Sequence, residues 1–128
     1  AEVELASFAD RLASEVSDGI RKRAAIVRAF ALRPIAVLLD EPTTSLDPLS
    51  ARGVDALLRH LAKKTGLTAV VVSHDLVSAA TVADRIALLY DQRVYATFNA
   101  AELATHADPL VRQFFDGNVD GPMATPGF

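Results

Sequence analysis

Cysteine is absent from the chain. That excludes disulfides and thiolate metal sites, and it fits a reducing compartment. No apolar run approaches the ~20 residues that cross a bilayer. The opening Ala1-Glu2-Val3-Glu4 also lacks the basic-then-apolar order of a secretory signal. The chain is therefore read as cytoplasmic, without direct membrane insertion. An excess of positive charge is missing too: the net charge is −3, so no global basic field argues for nucleic acid. Repeats and low-complexity segments are absent, and so is an initiator Met, as in a processed chain or an excised segment. What remains is 128 residues, 51% hydrophobic and 23% charged, one domain's worth of globular sequence able to bury a core.

The informative stretch is Ile35-Ala36-Val37-Leu38-Leu39-Asp40-Glu41-Pro42, followed by Thr43-Thr44-Ser45-Leu46-Asp47-Pro48. A short apolar run holding Val and Ile reads as a strand buried on both faces, as in a parallel sheet. Ligands of open α/β sheets bind outside the carboxyl ends of strands, so Asp40 and Glu41 lie where a phosphate or a metal would be met. The plain alternative is a buried strand that ends in an acidic turn.

Around it the period of apolar residues predicts the other elements. Leu5, Phe8, Ala9 and Leu12 have helical spacing. Ser17 can cap a helix beginning at Asp18, whose free N–H groups and dipole make an anion site. From Ala24 to Leu32 that helix is apolar nearly all round, which predicts burial, and Pro34 ends it. Asp47 caps and Pro48 starts the next helix. Its packing stripe is Val54, Leu57, Leu58 and Leu61, with Arg52, Asp55, Arg59 and Lys63 expected outward, and Gly66 as its stop. Residues 68–72 read as a second buried strand ending at Ser73-His74-Asp75. A short helix follows to Val82, then two strands around Asp91-Gln92. Asn99 with Glu102 resembles a capping box, and Asp108-Pro109 starts a last short helix through Phe115. Three glycines and two prolines exclude a helix or a central strand after residue 116.

Three elements able to meet a phosphate thus stand in order: Ser17-Asp18-Gly19, Asp40-Glu41 and Ser73-His74-Asp75. Their order and separation resemble the ATP-binding-cassette (ABC) ATPases. That family has a Leu-Ser-Gly-Gly-Gln signature followed by a basic residue, a Walker B strand of four apolar residues and Asp-Glu, a D-loop with Ser-Ala-Leu-Asp, and a lone switch His. Here Val16-Ser17-Asp18-Gly19-Ile20 with Arg23 matches the signature imperfectly, Asp40-Glu41 matches Walker B, Thr44-Ser45-Leu46-Asp47 the D-loop and His74 the switch. The resemblance covers the whole chain. Singly, a His after a strand is more often a surface or capping residue, and Arg21 and Lys22 read as a solvated face. Asp18 replaces a Gly and Ile20 the Gln, which adds a carboxylate to an anion site and removes a polar contact. The phosphate-cradling Gly-x-x-x-x-Gly-Lys-Ser/Thr (Walker A) occurs nowhere in the sequence, and the Q-loop is missing as well. The resemblance is therefore to the C-terminal half of a nucleotide-binding subunit.

Residues 108–117 with Asp120-Gly121-Pro122, and Arg-Lys-Arg-Ala-Ala after the signature, are similar to the ATPases of bacterial phospholipid transport, the maintenance-of-lipid-asymmetry or toluene-tolerance systems. The resemblance implies an α/β fold, the C-terminal part of a P-loop NTPase (RecA-like) core with a mostly parallel sheet flanked by helices. Residues 1–116 would hold the end of the helical subdomain, the signature helix, Walker B, the D-loop and the His switch. Residues 117–128 would be an extension that clasps a neighbouring subunit through Met123 and Phe128.

It implies ATP and Mg²⁺ as cofactors, shared between two ATPase subunits that act with membrane permease subunits, peripheral to the inner membrane. Asp40 would hold Mg²⁺, Glu41 orient or deprotonate water, and His74 contact the γ-phosphate. Ser17, Asp18 and Gly19 would meet the partner's nucleotide, and Asp47 would cross the dimer. Without Walker A the isolated chain is expected to be inactive. Two other readings remain: a non-catalytic remnant or dimerisation module with the same fold, and the C-terminal lobe of a chromosome-maintenance or DNA-repair ATPase, for which residues 5–12 are too short to supply heptads.

Overall fold

The computed structural model describes residues 5–124, and the chain divides at Val82 and Ala83 into two units that are described in turn. In the first, Ser17 Oγ accepts the Ile20 N–H (3.4 Å) and opens α1, Asp18–Ala31. Strand β1 is Ala36–Asp40. Helix α2, Pro48–Thr65, begins where the Asp47 carboxylate accepts the N–H groups of Leu49 and Ser50, both at 3.0 Å, and ends at left-handed Gly66 (φ 67°), which donates to the Ala62 carbonyl. Strand β2, Thr68–Val72, pairs parallel to β1 with Ala36 opposite Thr68 and Asp40 opposite Val72. Parallel pairing needs a crossover, and α2 supplies it. Asp75 accepts from the Val77 and Ser78 N–H groups at the start of α3, Leu76–Val82.

The core of this unit joins Ile26 and Phe30 of α1, Val37 of β1, and Val54, Leu57 and Leu58 of α2. Burying a side chain of this kind stabilises by about 1.5–3 kcal/mol relative to leaving it exposed, so the α2 stripe is what fixes both α1 and β1. Four expectations are corrected here. The two strands bury one face only: Leu38 is 81% exposed, and Val70 and Val72 are about half exposed, because α1 and α2 cover the side of Val37 and Leu39. In α1 the buried residues are Ile26 and Phe30, while Ala24, Ala25 and Ala31 are exposed. The expected first helix is instead two 3-10 turns, Ala6–Phe8 and Ala13–Glu15; short helices nucleate poorly without a packed face, and Leu12 is exposed. The polar face of α2 does not simply point to solvent. Arg59 donates to the carbonyls of Thr81 (2.9 Å) and Val82 (3.2 Å) in α3, and Asp55 is buried.

In the second unit, β3 (Arg85–Tyr90) and β4 (Arg93–Asn99) form an antiparallel hairpin. Both turn residues, Asp91 (φ 51°) and Gln92 (φ 60°), are left-handed, as a two-residue hairpin requires. Glu102 accepts from the Asn99 N–H (3.3 Å) and Nδ2 (2.7 Å) at the 3-10 segment Ala100–Thr105. Helix α4, Pro109–Asp116, is capped by Asp108, which accepts from Leu110 and Val111 N–H, and it stops at Gly117 (φ 69°). Ile86, Leu88, Phe98, Leu110 and Val111 form its core.

Met123 packs against that core, which corrects the expectation that it finds a partner only in another subunit. The buried Gln113 carboxamide accepts from the Met123 N–H (2.6 Å) and donates to the carbonyls of Met123 (3.1 Å) and Val119 (3.3 Å). Phe128 lies outside the described residues. The architecture is α/β as expected, with one parallel and one antiparallel pair among the described residues, none of whose helices is long and apolar enough to cross a membrane.

Candidate functional site

Beyond Asp40 the chain continues the sheet by one bond, Glu41 N–H to the Val72 carbonyl at 2.9 Å. It then turns sharply, with Glu41 (φ 47°) and Ser45 (φ 68°) both left-handed. For a residue with a Cβ this conformation costs roughly 1–2 kcal/mol, so the surroundings must hold it. Thr44 N–H returns to the Glu41 carbonyl (3.3 Å) and Leu46 N–H to that of Thr43 (3.2 Å). The turn sends the Glu41 side chain across to the end of β2. There Glu41 Oε1 accepts the His74 N–H (3.1 Å) and lies 2.9 Å from His74 Nδ1, while Thr44 Oγ1 donates to Oε2 (2.7 Å).

The bonds from His74, then from Thr44, hold the Glu41 carboxyl below its ordinary 4.5. The bond to Glu41 and its charge raise His74 above 6.5. In this arrangement the carboxylate and the imidazole each favour the other's charged form, and His74 is 76% exposed and open to a ligand. Such a pair can bind a phosphate oxygen through the imidazole and orient water through the carboxylate.

Asp40 is exposed at the strand end. No group of three His, Cys, Asp or Glu able to hold a metal exists among the described residues. One carboxylate fits Mg²⁺ where phosphate oxygens and water complete the octahedron, and not as a preformed cage.

The residues that resemble the signature stand elsewhere on the same unit. Ser17 caps α1, and the first-turn N–H groups there have no helical partner, as at any helix start. Asp18, the extra carboxylate, is ion-paired with Arg21, which offsets its repulsion of an anion. Arg21 also donates to the carbonyls of Ala13 (3.2 Å) and Val16 (2.9 Å), so it is no free surface cation. Gly19 faces Ser50: a Cβ there would lie 3.6 Å from the Ser50 side chain. Ser50 in turn bonds to Asp47, and its side chain and N–H, with Leu49 N–H, hold the Asp47 carboxyl low. The N-termini of α1 and α2 are thus neighbours, and Gly19 and Asp47 belong to one cluster.

What joins this cluster to the Glu41–His74 pair is Lys22, which the sequence reading had left in solvent. Its Nζ donates to the carbonyls of Glu41 (3.3 Å) and Thr44. A signal was there: Lys22 precedes buried Ile26 by four residues and shares its helix face. Thr44, Asp55 and Ser78 were also missed. Arg23, which follows the signature-like stretch, lies against Gly53, where an added Cβ would collide with its Nη2.

No family model matches the chain. Among curated proteins it is 40% identical over 121 residues to the intermembrane phospholipid transport system ATP-binding protein MlaF of Escherichia coli K12, an alignment covering 94% of this chain and 45% of that protein. MlaF of Haemophilus influenzae is 38% identical, with 94% and 46% covered. The methionine import ATP-binding protein MetN of Francisella tularensis is 33% identical over 118 residues, with 91% and 34% covered. The chain spans less than half the length of these relatives. Among solved structures, a dimeric ATP-binding cassette in a post-hydrolysis state with ADP and Pi aligns with a TM-score of 0.62 at 35% identity, covering 74% of this chain and 40% of that one. In sequence and in fold, this chain matches the C-terminal portion of the ATP-binding subunits of ABC transporters, with the phospholipid-transport subunits among its relatives.

Proposed function

We propose that the chain carries the hydrolytic residues and the signature helix of an ABC transporter ATPase that energises phospholipid transport. The observation that supports it most is the Glu41–His74 pair, two groups 33 residues apart held at 2.9 Å at one end of a parallel sheet. In this reading Glu41 accepts the proton of the attacking water and His74 binds the γ-phosphate. Asp40 would hold Mg²⁺, which would supply neutralisation of phosphate charge. Ser17, Asp18 and Gly19 present N–H groups to nucleotide held by a second subunit, and Asp47 crosses to it.

The partners are that second subunit and membrane permease subunits, which keep the complex at the inner membrane. Residues 1–116 belong to the nucleotide-binding domain. Residues 117–128 form its extension, and a clasp on a neighbour would use side chains around the Met123 anchor. The runner-up is a dimerisation module with the same fold and without turnover.

One experiment separates them. In a full-length subunit that joins this segment to a Walker A half, Glu41→Gln is expected to lower ATP turnover by ~10²–10⁴ while ATP still binds, and the 128-residue chain alone to release phosphate at background. Equal turnover of Glu41→Gln and wild type removes Glu41 as the base, and absence of turnover in both leaves the module reading.

A further inference from the structure

Behind the two loops that carry Glu41 and His74 lies a polar cluster that the catalytic reading does not use. Asp55, in the middle of α2, is 1% exposed. Its Oδ2 is 3.0 Å from Ser78 Oγ and 3.0 Å from Arg52 Nη1, while its Oδ1 is buried with no hydrogen-bond partner. Ser78 Oγ also lies 3.0 Å from Asp75 Oδ2 and 3.5 Å from Thr43 Oγ1, and accepts from Arg52 Nη2 (3.1 Å). Arg52 Nη2 pairs with Asp75 Oδ2 at 2.5 Å. Asp75 follows His74 directly, and Thr43 follows Glu41-Pro42.

A count of protons decides the state of the cluster. The Ser78 hydroxyl has one hydrogen and two acceptor sites, yet two carboxylate oxygens stand 3.0 Å from it. With both carboxylates ionised, one of those contacts sets lone pair against lone pair, and a buried anion keeps a bare oxygen besides. A proton on Asp55 Oδ2 removes the first problem and lessens the second, since an unpaired carbonyl oxygen costs less to bury than an unpaired anion. Asp55 then donates to Ser78 Oγ, Ser78 donates to Asp75 Oδ2, Arg52 neutralises Asp75, and the bare Oδ1 is a neutral carbonyl. Ser78 uses all its capacity, accepting from Asp55 and Arg52 and donating once.

We propose that Asp55 is held as a neutral carboxylic acid and is a positioning residue for the catalytic pair, its proton fixing Ser78 and through it Asp75, the residue that follows His74. Burial independently pushes Asp55 upward, with Asp75 adding to it and Ser78 and Arg52 opposing. For Asp75 burial pushes the same way but is outweighed by bonds from Ser78 and Arg52, so it stays below its ordinary value. The charged or titratable groups facing Asp55 are Arg52 and Asp75; α3 itself carries none.

The test compares Asp55→Asn with Asp55→Ala in the full-length protein. Asparagine keeps the shape and a donor toward Ser78 but sets its amide N–H groups against Arg52 Nη1, so Asp55→Asn should melt between wild type and Asp55→Ala while keeping the His74 titration of wild type. Asp55→Ala should lower the His74 titration toward its ordinary value and, where turnover is present, lower kcat by roughly 10–100-fold with KM little changed, the effect of misplaced catalytic groups. Carboxyl ¹³C NMR should show Asp55 still protonated where the exposed aspartates have ionised. An Asp55 signal that ionises with the exposed aspartates overturns the proposal, as does an Asp55→Asn variant whose His74 titration falls as far as that of Asp55→Ala. So does an Asp55→Ala variant, folded, whose His74 titrates as in wild type. This inference rests on the catalytic reading only for kcat: a wild type without turnover refutes that reading, while the ¹³C and His74 measurements still decide the state of Asp55.

Discussion

Replacing Lys22 with methionine removes an ammonium and leaves a side chain of similar length and apolar stem. Its Nζ donates to the carbonyls of Glu41 and Thr44, and a hydrogen bond to a charged group contributes roughly 1.5–3 kcal/mol. The site is only partly buried and water can replace the lost donor, so the net loss should be about 1–2 kcal/mol. That equals the ~1–2 kcal/mol held in a left-handed residue, so the Glu41 turn has enough stored conformational cost to relax once the ammonium is gone. For a unit of this size, 1 kcal/mol shifts the melting temperature by about 4–8 °C. Thermal unfolding should therefore drop by ~4–16 °C. The His74 titration, raised by its bond to Glu41, should fall toward 6.5 in the same variant. Unchanged melting and unchanged titration would show that the ammonium is solvated. A lower melting temperature with an unchanged His74 would reduce Lys22 to a support of the fold with no hold on Glu41.

The Glu41–His74 pair should also leave a signature in the pH dependence of stability. His74 is raised in the folded chain, so its contribution is complete below 6.5 and disappears as pH rises through the folded value. Glu41 is lowered, so its contribution is complete above 4.5 and disappears as pH falls through its folded value. Denaturant unfolding should find the pair's stabilisation largest between about pH 4.5 and 6.5, and Glu41→Gln should flatten that maximum; a variant with the same pH profile as wild type would contradict the pairing. In the second unit, Gln113→Ala removes three hydrogen bonds to Met123 and Val119. Each is worth about 0.5–1.5 kcal/mol, partly regained from water, so hydrogen exchange at the amides of residues 119–124 should accelerate roughly tenfold, while β3 and β4 keep their protection. Equal exchange throughout would mean that Met123 is held by packing alone.

The local features were legible because their physics is local. Ser17, Asp47 and Asp108 cap helices, Pro48 and Pro109 sit in first turns, and Gly66 closes α2 in the left-handed conformation, all from groups within four residues of each other. The Asp91-Gln92 turn was placed for the same reason. The Glu41–His74 contact is different. No periodicity predicts it, and the family resemblance gave each residue a role at the nucleotide without predicting that the two touch. Yet parallel pairing of Asp40 with Val72 makes residues 41 and 73 leave the same end of the sheet, so strand direction and register, once known, bring the two side chains within reach. The two-sided burial of β1 was misjudged because an apolar run records how hydrophobic a strand is, and what covers each face depends on the rest of the sheet and its helices. Leu38, Val70 and Val72 are apolar and open.

Lys22 and Asp55 were missed for a shared reason that bears on how such sequences are read. Ala51, Val54, Asp55 and Leu58 are spaced three and four apart, so Asp55 belongs to the buried stripe of α2 by the same period that identified Val54 and Leu58. Lys22 stands in the same relation to Ile26 of α1. In both cases residue type argued outward and period argued inward, and type was allowed to decide. The energetics favour the opposite rule: a polar group placed on a packed face must find partners, since leaving it unpaired costs roughly 1–3 kcal/mol. Period therefore locates the residue, and its chemistry states what the neighbouring element has to offer it. For Lys22 the partners are carbonyls of a turn that exposes them; for Asp55 they are a hydroxyl and a guanidinium. Both lead to the loops that hold Glu41 and His74, which is where a strained turn and a long-range contact most need support.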